Sequence, residues 1–232
     1  MTSRDIQKQL ESVMHRIRRA AEASGRGTER VRLVAVSKNV PEDIVKEGID
    51  AGITALGENY VQEARKKVNA LSCYPVSWHF TGRLQSNKVK YAVRLFDLIQ
   101  TVDSLKLARE VDKQAKKVDK VQEILIQVNI GEDPSKSGAQ AESAQNLIQS
   151  IARLDNLSIK GLMTMPPFFN SPEKVRPYFS ALRRLRDRIR KEIAPNVSMD
   201  ELSMGMSGDF EAAIEEGATL VRIGTAIFGE RI

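Results

Sequence analysis

The sequence predicts a single-domain α/β protein, a (β/α)8 barrel with an extra helix at its N-terminus. Two observations lead there. Short apolar, β-rich runs alternate with helical segments along the whole chain, and alternation at this period argues a parallel sheet. Eight such units fit into 232 residues, which favours a closed barrel; an open doubly wound sheet is the alternative. With no linker and no low-complexity stretch, residues 1–232 read as one domain, in which residues 1–27 form a helix packed outside the barrel.

The elements follow in order. Ile6, Leu10, Val13, Ile17 and Ala20 are spaced four, three, four and three apart, the period of one helical face. They predict a helix over Thr2–Ser24, capped by Thr2 with Asp5 answering three residues later, and ended by Gly25 and Gly27. The first strand, Val31–Ser37, is apolar almost throughout and reads as buried on both faces. Pro41 suits the first position of the next helix, which stops near Gly52. The predicted strands then run over Thr54–Leu56, Val76–Phe80, Asp97–Thr101, Glu123–Ile130, Leu157–Leu162, Glu201–Ser203 and Thr219–Ile223. The helices between them are predicted over Asn59–Leu71, Ser86–Leu95, Ser104–Lys117, Gln140–Leu154, Glu173–Ile193 and Asp209–Glu216, with a last short one including Ala226–Phe228.

Composition excludes several classes. No apolar run approaches the ~18 residues that would span a membrane, and the N-terminal stretch lacks the apolar segment of a signal peptide. The single cysteine, Cys73, permits no internal disulfide and has no metal-ligating neighbours in sequence; a reducing cytoplasm fits. Thirty-six basic against 30 acidic residues give +6. The densest basic run, Arg183–Lys191, carries the apolar helical stripe Phe179, Leu182, Leu185 and Ile189. It reads as a solvated helix face over a core stripe, because no aromatic residues interleave and no nucleic-acid-binding module is present.

In such a barrel, function collects where the strands end. Lys38 ends the first strand, and a lysine there is costly unless it is paired, reaches water or does chemistry. Two readings stand: an ion-pair partner, with Glu58 the nearest candidate, or a desolvated amine able to condense with a carbonyl. The last two strand ends, Ser203-Met204-Gly205-Met206-Ser207 and Arg222-Ile223-Gly224-Thr225, suggest a phosphate site. Ser207-Gly208 and Gly224-Thr225 open helices and offer N–H groups and hydroxyls to an anion; turns and a helix cap are the plainer reading. A lysine and a phosphate site together suggest a phosphorylated aldehyde held as an imine. His79 reads as a satisfied interior histidine or a ligand contact. Met163, Met165, Met204 and Met206 read as core or pocket wall.

The segments LVAVSK, GENYVQEA, WHFTGRLQSNK, DPSKSG, GLMTM, LSMGMSGDFEAAI and VRIGTAIFG run from Leu33 to Gly229. In them the chain resembles the pyridoxal 5′-phosphate homeostasis proteins, a group related to the N-terminal barrel of alanine racemase. The resemblance implies that Lys38 binds pyridoxal 5′-phosphate (PLP) as a covalent Schiff base, the internal aldimine. Ser207, Gly224 and Thr225 would hold the phosphate, Arg222 would face the pyridine nitrogen, and Asn59 and Ser203 would be ring-side contacts. Arginine cannot give that nitrogen a full proton, because its own pKa stays above ~12, so the ring is a weaker electron sink than in most such enzymes. Thr81 and Arg83 depart from the family pattern, and neither is expected to touch the lysine or the phosphate turns.

Two functions follow from the resemblance. One is a PLP-binding protein for intracellular vitamin B6 homeostasis, buffering or delivering the cofactor without catalysis of its own. The alternative is a PLP-dependent amino-acid racemase or similar enzyme with weak activity. Racemases with this barrel resemble two-domain proteins whose C-terminal β-domain supplies a tyrosine base. Here the chain stops at Ile232, and none of Tyr60, Tyr74, Tyr91 and Tyr178 sits at an obvious strand end, though Tyr60 follows the second strand closely. The non-enzymatic reading is therefore preferred, with PLP and PLP-accepting apo-enzymes as partners, no nucleic acid, no membrane, no metal, a monomer, and a cytoplasmic location.

Overall fold

The computed structural model describes residues 3–133, 136–167, 169, 171–192 and 196–230. Its elements are α1 (Ser3–Ala23), β1 (Arg32–Val36), α2 (Glu42–Asp50), β2 (Ala55–Glu58), α3 (Val61–Ala70), β3 (Ser77–Phe80), α4 (Val89–Leu95), β4 (Leu98–Val102) and α5 (Leu105–Lys116). They continue with β5 (Gln122–Asn129), β6 (Ala139–Gln140), α6 (Ala144–Ile151), β7 (Leu157–Met163), α7 (Pro172–Ile189), β8 (Val197–Ser203), α8 (Phe210–Glu215), β9 (Leu220–Ile223) and α9 (Thr225–Phe228). β1 pairs with β2 on one side and β9 on the other, so eight parallel strands close a ring in the order β1-β2-β3-β4-β5-β7-β8-β9. This is the (β/α)8 barrel that the alternation predicts.

Side chains alternate between the barrel's interior and the layer under the helices, because successive residues of a strand point to opposite faces. Val34, Ala55, Leu98, Leu125, Met163 and Leu220 form a small interior cluster. Their neighbours Ala35, Leu56, Ile99, Ile124, Leu162 and Val221 belong to the larger core beneath the helices. The interior parity also holds a polar group, His79, Gln100, Gln127, Ser203 and Arg222, all buried.

The N-terminal helix lies outside the barrel, against α2, α8 and α9. Its predicted stripe is buried from Ile6 to Ala20. Arg16 stacks 4.5 Å over the Phe210 ring and reaches Glu211 at 2.6 Å. The proposed Thr2 cap lies outside the described residues, as does the predicted end of α7 at Ile193. In α7 the stripe Phe179, Leu182, Leu185 and Ile189 is buried. Its basic face pairs with acids instead, Arg176 with Glu173 and Glu215 and Arg183 with Glu216, and just past its end Arg190 pairs with Asp200. Among the described residues no helix is long and apolar enough to cross a membrane.

The structure differs from the sequence expectations at several element boundaries. β8 begins at Val197, four residues before the expected Glu201, because Asp200 and Glu201 hide the strand's apolar pattern. A bulge opens there: Met199 sits at φ 53°, and the register to β7 shifts between Ile159 and Gly161. A Cβ on Gly161 would lie 1.9 Å from the Glu201 carbonyl oxygen, so only glycine lets the two backbones pass. β6 is a two-residue strand on β5, Val128 facing Ala139, which delays the next helix from Gln140 to Ala144. α3 starts at Val61, two residues after the expected Asn59.

Candidate ligand-binding site

At the carboxyl ends of the strands lies a cavity of about 320 Å³ walled by Lys38, Ser207, Arg222, Gly224 and Thr225, together with Val36, Thr81, Met165, Phe169, Met206, Gly208 and Asp209. Clefts that take small molecules begin at about this size. A larger one, about 470 Å³, lies at the opposite end beneath α1, among Leu10, Met14, Val31, Leu33 and Ile53. The mouth cavity differs in chemistry: an amine, a guanidinium and two hydroxyls converge on it.

Five of the seven residues expected from the sequence are thus brought to one cavity. Ser207 and Thr225 come from separate turns, and the turns are joined: the backbone N–H of Ala226 donates to Ser207 Oγ at 3.4 Å. The Ser207 turn is braced by Met206 N–H, which donates to Asp209 Oδ1 at 2.6 Å. Gly205, at φ 91°, turns the chain where a Cβ would meet the Ala213 methyl at 2.6 Å. Burial raises the Asp209 carboxyl against the pull of Met206 N–H and Arg222. The chemistry of this donor set, an amine and a guanidinium beside two hydroxyl-bearing turns, suits a phosphorylated aldehyde.

Glu58 does not serve Lys38. β2 places Ala55 in the interior cluster, so Glu58, at odd separation, faces out under the helices. There it meets Lys67 of α3. The buried Lys67 ammonium donates to Glu58 Oε1 at 2.8 Å, to Glu63 Oε1 at 2.7 Å and to the Ser37 carbonyl at 2.5 Å. Ser37 Oγ donates to Glu58 Oε1 at 2.7 Å, and Asn39 N–H to Glu63 Oε1 at 2.6 Å. The residues on either side of Lys38 are therefore tied to one buried charge cluster, which holds Asn39 at φ 59°. Burial raises the Glu58 carboxyl, while Lys67 and Ser37 lower it; its Oε2 has no hydrogen-bond partner among the described residues.

Ser203 and Asn59 do not line the cavity. Ser203 is fully buried behind Arg222, accepting from Nη1 at 2.7 Å, while Nη2 donates to the Thr164 carbonyl at 2.9 Å. Burial pulls Arg222 down to about 10, with Asp209 opposing, below the value above ~12 expected of an arginine; it remains a cation at neutral pH. Asn59 lies one contact away, its Oδ1 accepting from Thr81 Oγ1 at 2.8 Å. Thr81 itself shares the cavity with Lys38, contrary to the expectation that this departure stays clear of the site. His79 is a satisfied interior histidine: Nδ1 faces Gln100 Nε2 at 3.0 Å and Nε2 faces Ser77 Oγ at 3.1 Å. Met163 and Met204 are core, and Met165 and Met206 are wall. The loop at Lys136–Gly138 is anchored by Gln127 Nε2, which donates to the Ser137 carbonyl at 2.8 Å. Sequence reasoning missed Lys67, Gln100 and Asp209. The signals were a lysine four residues after Glu63 and a glutamine inside an otherwise apolar strand.

The fold and site define a class. Residues 9–232 match the family described as alanine racemase, N-terminal domain, and a solved alanine racemase from Clostridium difficile 630 shares the fold at 14% identity, with a TM-score of 0.75 over 97% of this chain and 56% of its own. A curated relative in Aquifex aeolicus, named pyridoxal phosphate homeostasis protein, is 47% identical over 97% of both chains. One of the same name in Escherichia coli K12 is 40% identical over 98% of this chain and 97% of its own. The structure of PipY of Synechococcus elongatus with PLP bound aligns with a TM-score of 0.84 at 34% identity, over 97% of this chain and 100% of PipY. The chain belongs to the pyridoxal phosphate homeostasis protein family.

Proposed function

We propose that this chain binds PLP at the mouth of its barrel and serves cofactor homeostasis, buffering PLP or passing it to apo-enzymes, without turnover of its own. The observation that carries this is the convergence of Lys38, Arg222 and the two joined turns on one cavity. PLP supplies a reactive aldehyde and an electron-withdrawing ring. On the protein's side, Lys38 offers the amine that captures the aldehyde with loss of water. Ser207, Gly224 and Thr225 orient the phosphate. Arg222 presents a donor to the ring nitrogen without protonating it fully. The PLP-bound PipY structure supports the ligand, and the relatives' shared name supports the role.

Absence of turnover is supported by the name the relatives share, that of a homeostasis protein. The titratable side chains of the wall among the described residues are Lys38, Asp209 and Arg222, and Asp209 accepts from Met206 N–H at the anion turn. We place the protein in the cytoplasm as a monomer; its one cysteine, exposed Cys73, is compatible with a reducing compartment.

The test is direct. Purified protein offered PLP should turn yellow, and borohydride should fix the cofactor on Lys38, located by peptide mass spectrometry. Lys38→Ala should remove the colour and keep the fold. A label on another lysine refutes the site, and steady racemisation of alanine by the wild type refutes the non-enzymatic role.

A further inference from the structure

Arg222 stands at the end of a hydrogen-bonded chain that crosses the barrel. Nη1 donates to Ser203 Oγ at 2.7 Å, and Ser203 Oγ donates to Gln100 Oε1 at 2.6 Å. Gln100 Nε2 meets His79 Nδ1 at 3.0 Å, His79 Nε2 meets Ser77 Oγ at 3.1 Å, and Ser77 Oγ donates to Asp97 Oδ2 at 3.3 Å. The chain thus runs from β9 through β8, β4 and β3 to the start of β4. Ser203 and Gln100 are fully buried, and His79 and Arg222 are each 4% exposed.

Its direction is forced by its ends. Arginine can only donate and a carboxylate can only accept. Every bond between them must then point the same way: Ser203 receives from Arg222 and gives to Gln100, the Gln100 amide gives to Nδ1, and His79 carries its proton on Nε2. Any other arrangement turns two donors toward each other or leaves a buried hydroxyl proton without an acceptor, which costs about 1–3 kcal/mol. We propose that Ser203, Gln100 and His79 form a one-directional relay that fixes the Arg222 guanidinium at the cavity wall, and that His79 and Gln100 are positioning residues for the ring that Arg222 faces. The ring-facing part rests on the function proposed above; the relay itself does not.

Burial supports a single protonation state, because it holds the His79 imidazole down to about 4, so one neutral tautomer is populated at neutral pH. The chain has only two histidines, His15 and His79. In a His15→Gln background, nitrogen-15 NMR therefore reads His79 alone, without any ligand.

At pH 7 the signal should be that of a neutral ring with the proton on Nε2. A proton on Nδ1, or a charged ring, overturns the relay. Gln100→Glu keeps the shape but can only accept, so the proton should move to Nδ1; a spectrum unchanged from the parent also overturns it. Gln100→Leu should weaken PLP binding about tenfold, on the scale of one lost hydrogen bond, and should shift the absorbance band of the bound cofactor. If Gln100→Leu does not fold, Ser203→Ala, which removes the acceptor for Arg222 Nη1, carries the same binding measurement, with the same tenfold loss expected. Affinity within twofold of wild type and an unmoved band overturn the positioning role. A wild-type chain with the Nε2 proton that stays colourless with PLP refutes the functional reading and the ring-positioning role, but leaves the relay standing.

Discussion

Lys67→Met tests what holds the Lys38 turn. Methionine keeps the length and apolar bulk of the side chain, so little cavity forms, and the change isolates the charge. The ammonium is bound by Glu58, Glu63 and the Ser37 carbonyl within 2.8 Å, with Glu58 fully buried. Removing one partner of a buried ion pair strands the other, at about 3–5 kcal/mol. For a chain of this size each kcal/mol moves the melting temperature by about 2–4 °C, so thermal unfolding at pH 7 should fall by roughly 10 °C. The deficit should shrink on acidification. Burial already raises the Glu58 carboxyl, and without Lys67 it rises further. The folded state then takes up a proton before the unfolded one, and stability is lost as pH climbs through the raised folded value. Adding Glu58→Gln to Lys67→Met should recover more than half of the loss. If Lys67→Met melts within 2 °C of wild type, or if the second substitution deepens the loss, the cluster does not hold the turn by charge.

Two further outcomes are expected. Gly82→Ala would place a Cβ 2.2 Å from the Asn59 carbonyl oxygen; since that atom is backbone, overpacking should cost about 3 kcal/mol in chemical denaturation, and a loss under 1 kcal/mol would mean the β2 and β3 turns separate easily. His79 should make the fold acid-sensitive: the unfolded chain takes up a proton below 6.5, the folded one only near 4, so stability falls by about 3 kcal/mol as pH drops through that window. His79→Gln should lose less over the same range, and equal slopes would show that the ring is not held neutral.

The barrel was legible because apolar runs and helical stripes alternate without interruption. β8 was half-hidden because its exposed Asp200 and half-buried Glu201 break the apolar pattern, and β6 is too short to carry any. At the site, Lys38 and the glycine turns were legible from chemistry placed at strand ends. Depth was not. Ser203 and Arg222 both belong to interior-facing positions, yet Ser203 lies beneath the guanidinium and is shut off from the cavity. The suggested Lys38–Glu58 pair failed on parity, which could have been counted from Ala55 and Leu56 had the barrel's inner face been known. Lys67 went unseen because a lysine on an amphipathic helix looks solvated until Glu58 is placed beneath it.

β1 counts in twos. Ser37 turns its hydroxyl outward to Glu58, and Lys38, one step on, opens into the cavity. A residue lost from or inserted into this strand would exchange the two directions. The amine would be driven against the Lys67 ammonium, and a hydroxyl would stand where the proposed site needs an amine. Apart from the two joined turns at Ser207 and Thr225, the loops around the mouth face no such parity rule. Divergence in this lineage should therefore reshape the rim while the residue count between Val31 and Asn39 stays frozen.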